Sequence, residues 1–456
     1  MRTLLIKNGT VVTHDGIKQA DILVKDGKIT SISPNISENS NQTIDAKKLL
    51  VMPGGVDVHT HMELPAGDIF SSDTFETGTL AALHGGTTTI IDFANQTKGQ
   101  SLKKAFSRWQ ERANGKTYTD YGLHIAVTDV NDNTLREMDE FFSGEGVTSF
   151  KTFLAYEHNK INLENLRMVM KKAKELGGIV SLHAEDGGIL EKKLCEFQKT
   201  GKTSPEYHYL AHPEIAEEKA TAEAIDLAIK EDCPLYIVHL TSKKALDHII
   251  SAQKNGAKIF AETCPHYLVL NKEKYYNPDH LEAAKFIMSP PLRCDEDREA
   301  LWEGIFNGHI QVIGTDHCPF TLSQKKKNLS EFWKIPNGIP GVENRMELFF
   351  HEAVNRRGLS LTEFVKLCSQ NPAKIFGLEN IKGHIAPGFD ADIILFDPNE
   401  EHILSSETHH MNVDYSPYEG MKIKGRCKKV IFKGKVVIDD NKSLISHPEG
   451  IYLKRT

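Results

Sequence analysis

Leu50-Val51-Met52-Pro53-Gly54-Gly55-Val56-Asp57-Val58-His59-Thr60-His61 is a short apolar run that stops at two histidines one residue apart. Side chains alternate faces along an extended strand, so His59 and His61 point the same way, and two imidazoles aimed into one space form part of a metal chelate. Alone, the pair is weak, because a single strand-end histidine is more often a satisfied structural residue. Its weight comes from the histidines, lysine and aspartate that recur at later apolar runs of the chain.

Seven more such runs, apolar and β-rich, lie at 87–93, 123–127, 147–153, 178–183, 235–239, 258–262 and 311–316. Amphipathic stretches of helical length lie between them, for example 163–175, 215–231 and 243–254. Eight alternating units predict a (β/α)8 barrel, with its active site at the C-terminal ends of the strands. The alternative is a doubly wound open sheet, but no Gly-x-Gly-x-x-Gly follows an early strand.

The chain ends have a different texture. Short strands around Asn8-Gly9 and Asp26-Gly27 read as hairpins, and similar runs return at 391–396 and around Lys433-Gly434. Together they predict a smaller β-sandwich domain built from both termini. The expected division is 1–52 for its N-terminal part, 53–380 for the barrel and 381–456 for its C-terminal part and tail.

On this frame His59 and His61 end strand one, Lys151 lies on strand four, His183 ends strand five, His239 ends strand six and Asp316 ends strand eight. Six candidates at one barrel mouth are hard to attribute to chance. Imidazoles and a carboxylate suit zinc, iron or manganese, and there are more of them than one tetrahedral ion requires, so two metals are expected. Lys151 is the odd member, since an ammonium cannot ligate. Desolvation would favour its neutral amine, and the plainer reading is a barrel lysine paired to a carboxylate.

Composition narrows the function classes. The 456 residues carry a formal charge of −7 and seven scattered cysteines without a Cys-x-x-Cys pair. A disulfide framework or cysteine-rich zinc module is therefore not expected, and a reducing cytoplasm is. No run of roughly 18 apolar residues occurs, so no membrane span is expected. The one basic run, Lys325-Lys326-Lys327, is short and reads as a solvated loop, which argues against a nucleic-acid partner.

Longer motifs carry a family resemblance: Gly55-Val56-Asp57-Val58-His59-Thr60-His61, Ser149-Phe150-Lys151 leading to Ala155-Tyr156, His183-Ala184-Glu185, Glu262-Thr263-Cys264-Pro265-His266, Gly314-Thr315-Asp316-His317, Pro336-Asn337-Gly338 and Asn412-Val413-Asp414-Tyr415. Over residues 1 to 440 the chain resembles the dihydropyrimidinase and hydantoinase group of cyclic amidohydrolases. The resemblance implies two divalent ions, usually zinc, bridged by a carbamate that carbon dioxide forms on Lys151 (N6-carboxylysine). His59, His61 and Asp316 would hold the more buried ion, and His183 with His239 the more exposed one. Tyr156 matches the oxyanion tyrosine, and Ser289 and Asn337 match positions that bond the substrate's ureide edge.

The implied reaction is opening of a cyclic amide, of the type dihydrouracil to N-carbamoyl-β-alanine. A metal-bridging hydroxide attacks the carbonyl carbon, and Asp316 carries the proton to the leaving nitrogen. A small-molecule cyclic ureide is the expected partner, and a homotetramer the expected assembly. Allantoinase is the nearest alternative, and a non-catalytic scaffold of the same fold the next. Dihydroorotase is disfavoured because Glu63 stands where an arginine would read a substrate carboxylate.

Some positions depart from the family pattern. His183-Ala184-Glu185 is followed by Asp186 where Asn is usual, and Ala211-His212-Pro213 replaces Ser-Arg-Pro. After Tyr156 the chain reads Glu157-His158-Asn159-Lys160, where hydantoinases often place aromatic residues. A small or unsubstituted ring is therefore expected to be preferred over an aryl hydantoin. His84, His124, His266 and His317 are expected to be structural or to orient ligands, with His317 the best candidate for the latter.

Overall fold

The computed structural model describes residues 2–456 of the chain. Eight parallel strands, Gly55–Thr60, Thr87–Asn95, Asp120–Ala126, Ser149–Phe153, Ile179–His183, Leu235–Ile237, Ile259–Thr263 and Val312–Ile313, are ordered in space as in sequence. Nearly all their residues are buried, as parallel strands covered on both faces must be. The seam between first and last strands is closed beyond the ladder. Thr60 bridges to His317, and the buried Arg345 guanidinium donates to the carbonyls of Val56 and Ile313.

The helices between the strands form where the apolar spacing says they should. In Leu163–Leu176 the buried residues are Leu166, Val169, Met170 and Ala173, one stripe at helical period. Asn162 caps its start by accepting from Asn165 N, and Gly177 ends it in the left-handed conformation. Lys243–Lys254 runs between the residues expected, with Ser242 as its cap. Among the described residues no helix is long and apolar enough to cross a membrane.

Strands from both termini join one nine-stranded sheet, in which Leu50–Pro53 lies between Thr3–Thr13 and Ile393–Ile403. The run that opens the sequence is thus two strands. Leu50–Pro53 belongs to this sheet, and after Gly54 the chain enters the barrel as Gly55–Thr60. Asp26-Gly27 and Lys433-Gly434 are hairpin turns as expected, with positive φ at all four residues.

The hairpin expected at Asn8-Gly9 is instead a bulge within the single strand Thr3–Thr13, and the turn comes after Thr13. Tertiary packing decides this: Thr10 must continue the strand to pair with Leu50, and a Cβ on Gly9 would fall 2.4 Å from Val51 Cγ2. The two parts of the molecule are pinned by Lys382. Its buried ammonium lies 2.7 Å from Asp120, at the start of the third barrel strand, and 2.6 Å from Asp392 beside the terminal sheet.

Candidate metal centre

His59 lies within the first barrel strand and His61 just beyond it, and both aim Nε2 at one oxygen of Asp316, at 3.2 and 3.0 Å. Ligand atoms around a tetrahedral ion with bonds of 2.0–2.1 Å stand about 3.3 Å apart, so the spacing fits a shared cation. On the neighbouring side, His183 Nδ1 and His239 Nε2 face each other at 2.9 Å, and the His59 and His239 rings are 5.4 Å apart. Nδ1 of both His61 and His239 is buried without a hydrogen-bond partner. Imidazole nitrogens and a carboxylate oxygen converging at these separations suit bound cations.

Backbone strain collects at this mouth. Tyr156, His239 and Asp316 all have positive φ, of 67°, 39° and 50°. The last two lie past the ends of short strands, Leu235–Ile237 and Val312–Ile313, so a sharp turn and not the pleat aims them inward.

At every candidate ligand except His59 the electrostatics favour the protonation state that ligation needs. Burial pulls His239 well below its ordinary range, and pulls His61 and His183 down against the carboxylates Asp316 and Glu185 respectively. Burial would raise Asp316, but His59 and His61 hold it well below the usual carboxylate range. Burial also opposes the charge on His59, yet Glu262 and Asp316 outweigh it and push its pKa up to about 9, so a cation binding there displaces a proton. Lys151, buried on the fourth strand, is pulled down to about 7 by desolvation against Glu262 and Asp316. No carboxylate among the described residues pairs with it, and its Nζ lies 5.2 and 5.1 Å from the Phe93 and Phe153 rings. The plainer reading, a salt-bridged barrel lysine, does not hold.

Two carboxylates that sequence reasoning quoted without a role prove central. Glu262 Oε1 lies 2.5 Å from His59 Nδ1 and accepts from His239 N, while Tyr236 donates to its other oxygen. Glu185 lies 2.8 Å from His183 Nε2, accepts from the Tyr156 hydroxyl at 3.3 Å, and lies 2.9 Å from His212 Nδ1. His212, noticed only as a departure from pattern, is therefore part of the network. The sole signal in the sequence is that both acids sit at strand ends in motifs that contain histidines.

Of the other histidines, His317 holds Asp73 through Nε2 and accepts from Gly341 N through Nδ1, so its ring braces loops, while its carbonyl accepts from His61 N at 2.9 Å. His124 links Ser149 to the Val58 carbonyl below the site. His84 stacks on His410, and both nitrogens of His266 lack partners.

A cleft of about 1100 Å³ opens above these residues. Leu64, Phe153, Tyr156, Ser289 and Asn337 line it, with Ser289 Oγ donating to Asn337 Oδ1 at 3.2 Å. Burial beside Glu185 holds the Tyr156 phenol well above its ordinary range, keeping it a neutral donor. The lysine run expected as a solvated loop is only partly one. Lys325 is fully buried, its Nζ donating to the carbonyls of Ile287 and Pro336, while Lys327 lines the cleft. Glu63 faces elsewhere: its carboxylate accepts from Phe75 N at a helix start and lies 4.0 Å from Arg112.

The sequence model of the amidohydrolase family matches residues 50–437, the barrel and its metal-site mouth included. The chain belongs to the amidohydrolase family. Membership implies a divalent metal centre, and the donor set at the barrel mouth fits one. This amidohydrolase is 42% identical over 455 residues to a D-hydantoinase of Geobacillus stearothermophilus, covering 99% of this chain and 96% of the relative. It is 39% identical to a dihydropyrimidinase of Dictyostelium discoideum, covering 99% and 91%. A crystal structure of dihydropyrimidinase from Brevibacillus agri superposes with a TM-score of 0.98 at 42% identity, covering 100% of this amidohydrolase and 99% of that chain.

Proposed function

We propose that this amidohydrolase opens the cyclic amide bond of dihydropyrimidines or hydantoins, and that His59, His61, Lys151, His183, His239 and Asp316 hold two divalent ions. The observation that carries the reading is the convergence of His59 and His61 on Asp316 beside the His183–His239 pair, in a chain similar to D-hydantoinases along its whole length. Zinc is the proposed metal, supported by the imidazole and carboxylate donors. His59, His61 and Asp316 would hold the deeper ion, and His183 and His239 the shallower one. Lys151, neutral by burial, would take up carbon dioxide as a carbamate that reaches both.

Bound there, the ions supply Lewis acidity and an activated water. The rest is the work of the protein. Asp316 accepts the proton of the attacking water and hands it to the departing ring nitrogen. The Tyr156 hydroxyl donates to the oxygen on which negative charge develops. Ser289 and Asn337 hold the ureide edge and so orient the carbonyl toward Asp316. Glu262 and Glu185 fix the His59 and His183 rings.

The division 1–52, 53–380 and 381–456 is likewise proposed, supported by the two sheets. A reducing cytoplasm is supported by seven free cysteines, and a homotetramer by family resemblance. Metal-loaded enzyme assayed on dihydrouracil, dihydrothymine, hydantoin, 5-phenylhydantoin and allantoin tests the reading. Dihydrouracil should exceed 5-phenylhydantoin in kcat/KM. Allantoin as best substrate would favour the allantoinase alternative, and no divalent metal with no ring opening would favour the scaffold.

A further inference from the structure

The cleft carries more positive charge than ring opening needs. Away from the candidate metal ligands its charged lining is Lys98, Arg108, Lys327 and Lys334 against the single acid Asp68. Lys334 is paired with Glu331 at 2.8 Å. No carboxylate among the described residues lies within 4.0 Å of the other three cations, although Glu157 feels the charge of Lys98. Lys98 Nζ donates to the backbone carbonyl of Glu157 at 2.7 Å, and the half-buried Arg108 donates to the side-chain amide oxygen of Gln100 at 3.0 Å, both uncharged acceptors. Among the described residues none of Lys98, Arg108 and Lys327 forms an ion pair.

The acids nearest in sequence to the site are occupied elsewhere. Glu63, whose charge by sequence would repel an anionic substrate, caps a helix and leans on Arg112. Glu157 is paired with Lys160 at 2.7 Å. Neither lines the cleft. Lys98 and Lys327 are exposed and Arg108 is half-buried, and an excess of one sign of charge along a cleft raises the local concentration of ligands of the other sign, more so at low salt.

We propose that the basic lining of the cleft forms a carboxylate subsite, and that among substituted rings the enzyme favours hydantoins or dihydropyrimidines whose substituent ends in a carboxylate, read by Lys98, Arg108 and Lys327. This rests on the ring-opening reading proposed for the same site. Water is the only co-reactant. Its oxygen bonds to the ring carbonyl carbon, the carbon–nitrogen bond breaks, and the nitrogen takes the proton, so hydantoin-5-acetate becomes N-carbamoylaspartate.

The test compares kcat/KM for hydantoin-5-acetate with that for hydantoin-5-acetamide, which has the same shape without the charge, on metal-loaded enzyme. The acid should lead by about tenfold at low ionic strength. That ratio should shrink as salt screens the cations and approach one when Lys98→Met, Arg108→Met and Lys327→Met are combined. A ratio of one or less in the unmodified enzyme overturns the proposal, as does a ratio that all three substitutions leave unchanged. Where the rings are not opened, calorimetric binding of the two compounds reads their relative affinities directly. An enzyme that opens neither ring yet binds the acid more tightly would therefore retain the subsite and lose the ring-opening reading, whereas equal opening of both would do the reverse.

Discussion

Glu262 Oε1 stands 2.5 Å from Nδ1 of His59, with neither side chain reachable by solvent. A carboxylate on the far nitrogen fixes the ring's tautomer and orientation, leaving Nε2 directed at Asp316. Glu262→Gln keeps the shape and weakens that control. Metal affinity should fall about 10–100-fold, read by titration with a chelating competitor. Unchanged affinity would mean that packing against Phe93 alone holds the ring.

Replacing Lys151 with Ala should lower metal content and activity together, measured by elemental analysis and turnover on dihydrouracil. Undiminished activity would sink the bridging role.

Tyr156→Phe removes one donor to the developing oxyanion and keeps the ring beside His183. Loss of such a donor reduces kcat by about 10²–10³. KM should change little, since the hydroxyl acts on charge that appears only after attack. A KM effect without a kcat effect would make Tyr156 a ground-state contact.

Lys325 clamps the carbonyls of Ile287 and Pro336, close in sequence to Ser289 and Asn337. Burial without a carboxylate partner pulls its pKa down to about 7 from 10.5. Between these values the unfolded chain binds a proton that the folded one does not, so stability rises with pH across the interval, by up to about 1.4 kcal/mol per unit. Lys325→Met lacks this term. The wild-type advantage in thermal unfolding should therefore widen from pH 7 toward pH 10. A difference independent of pH would show that the amine stays charged.

Lys382 joins Asp120, Asp390 and Asp392. Burial opposes its charge, but the three carboxylates hold its pKa well above the ordinary lysine range. Its contribution is thus complete below pH 10.5 and lost only as pH rises through that higher value. Lys382→Met strands buried carboxylates and should destabilise by about 3–5 kcal/mol, measured by urea unfolding at neutral pH. A loss below about 1 kcal/mol would mean that the cluster relaxes by admitting water or protons.

Much of the site is legible in one dimension because a barrel puts the ends of consecutive strands at one mouth. Counting strands therefore groups His59, Lys151, His183, His239 and Asp316 without any knowledge of distances. What could not be read is which acid serves which histidine. Glu262 lies 203 residues from His59, and His212 reaches Glu185 across two helices and the loop between them. Lys325 sits in a run that local composition marks as solvated, and only the folding of two loops around it buries its amine.

The alternation of apolar strands and amphipathic helices was enough to specify a barrel flanked by terminal strands, because side-chain periodicity is a local property of the backbone. Hairpin turns at Asp26-Gly27 and Lys433-Gly434 belong to the same local order. Tertiary structure decided the matters in which distant segments compete. It turned Asn8-Gly9 into a bulge so that Thr10 could pair with Leu50, closed the barrel seam with Arg345, and turned Glu63 away from the cleft, leaving its charge to Lys98, Arg108 and Lys327. Charge in a sequence has a sign but no direction, and direction comes only from the packing that orients each side chain.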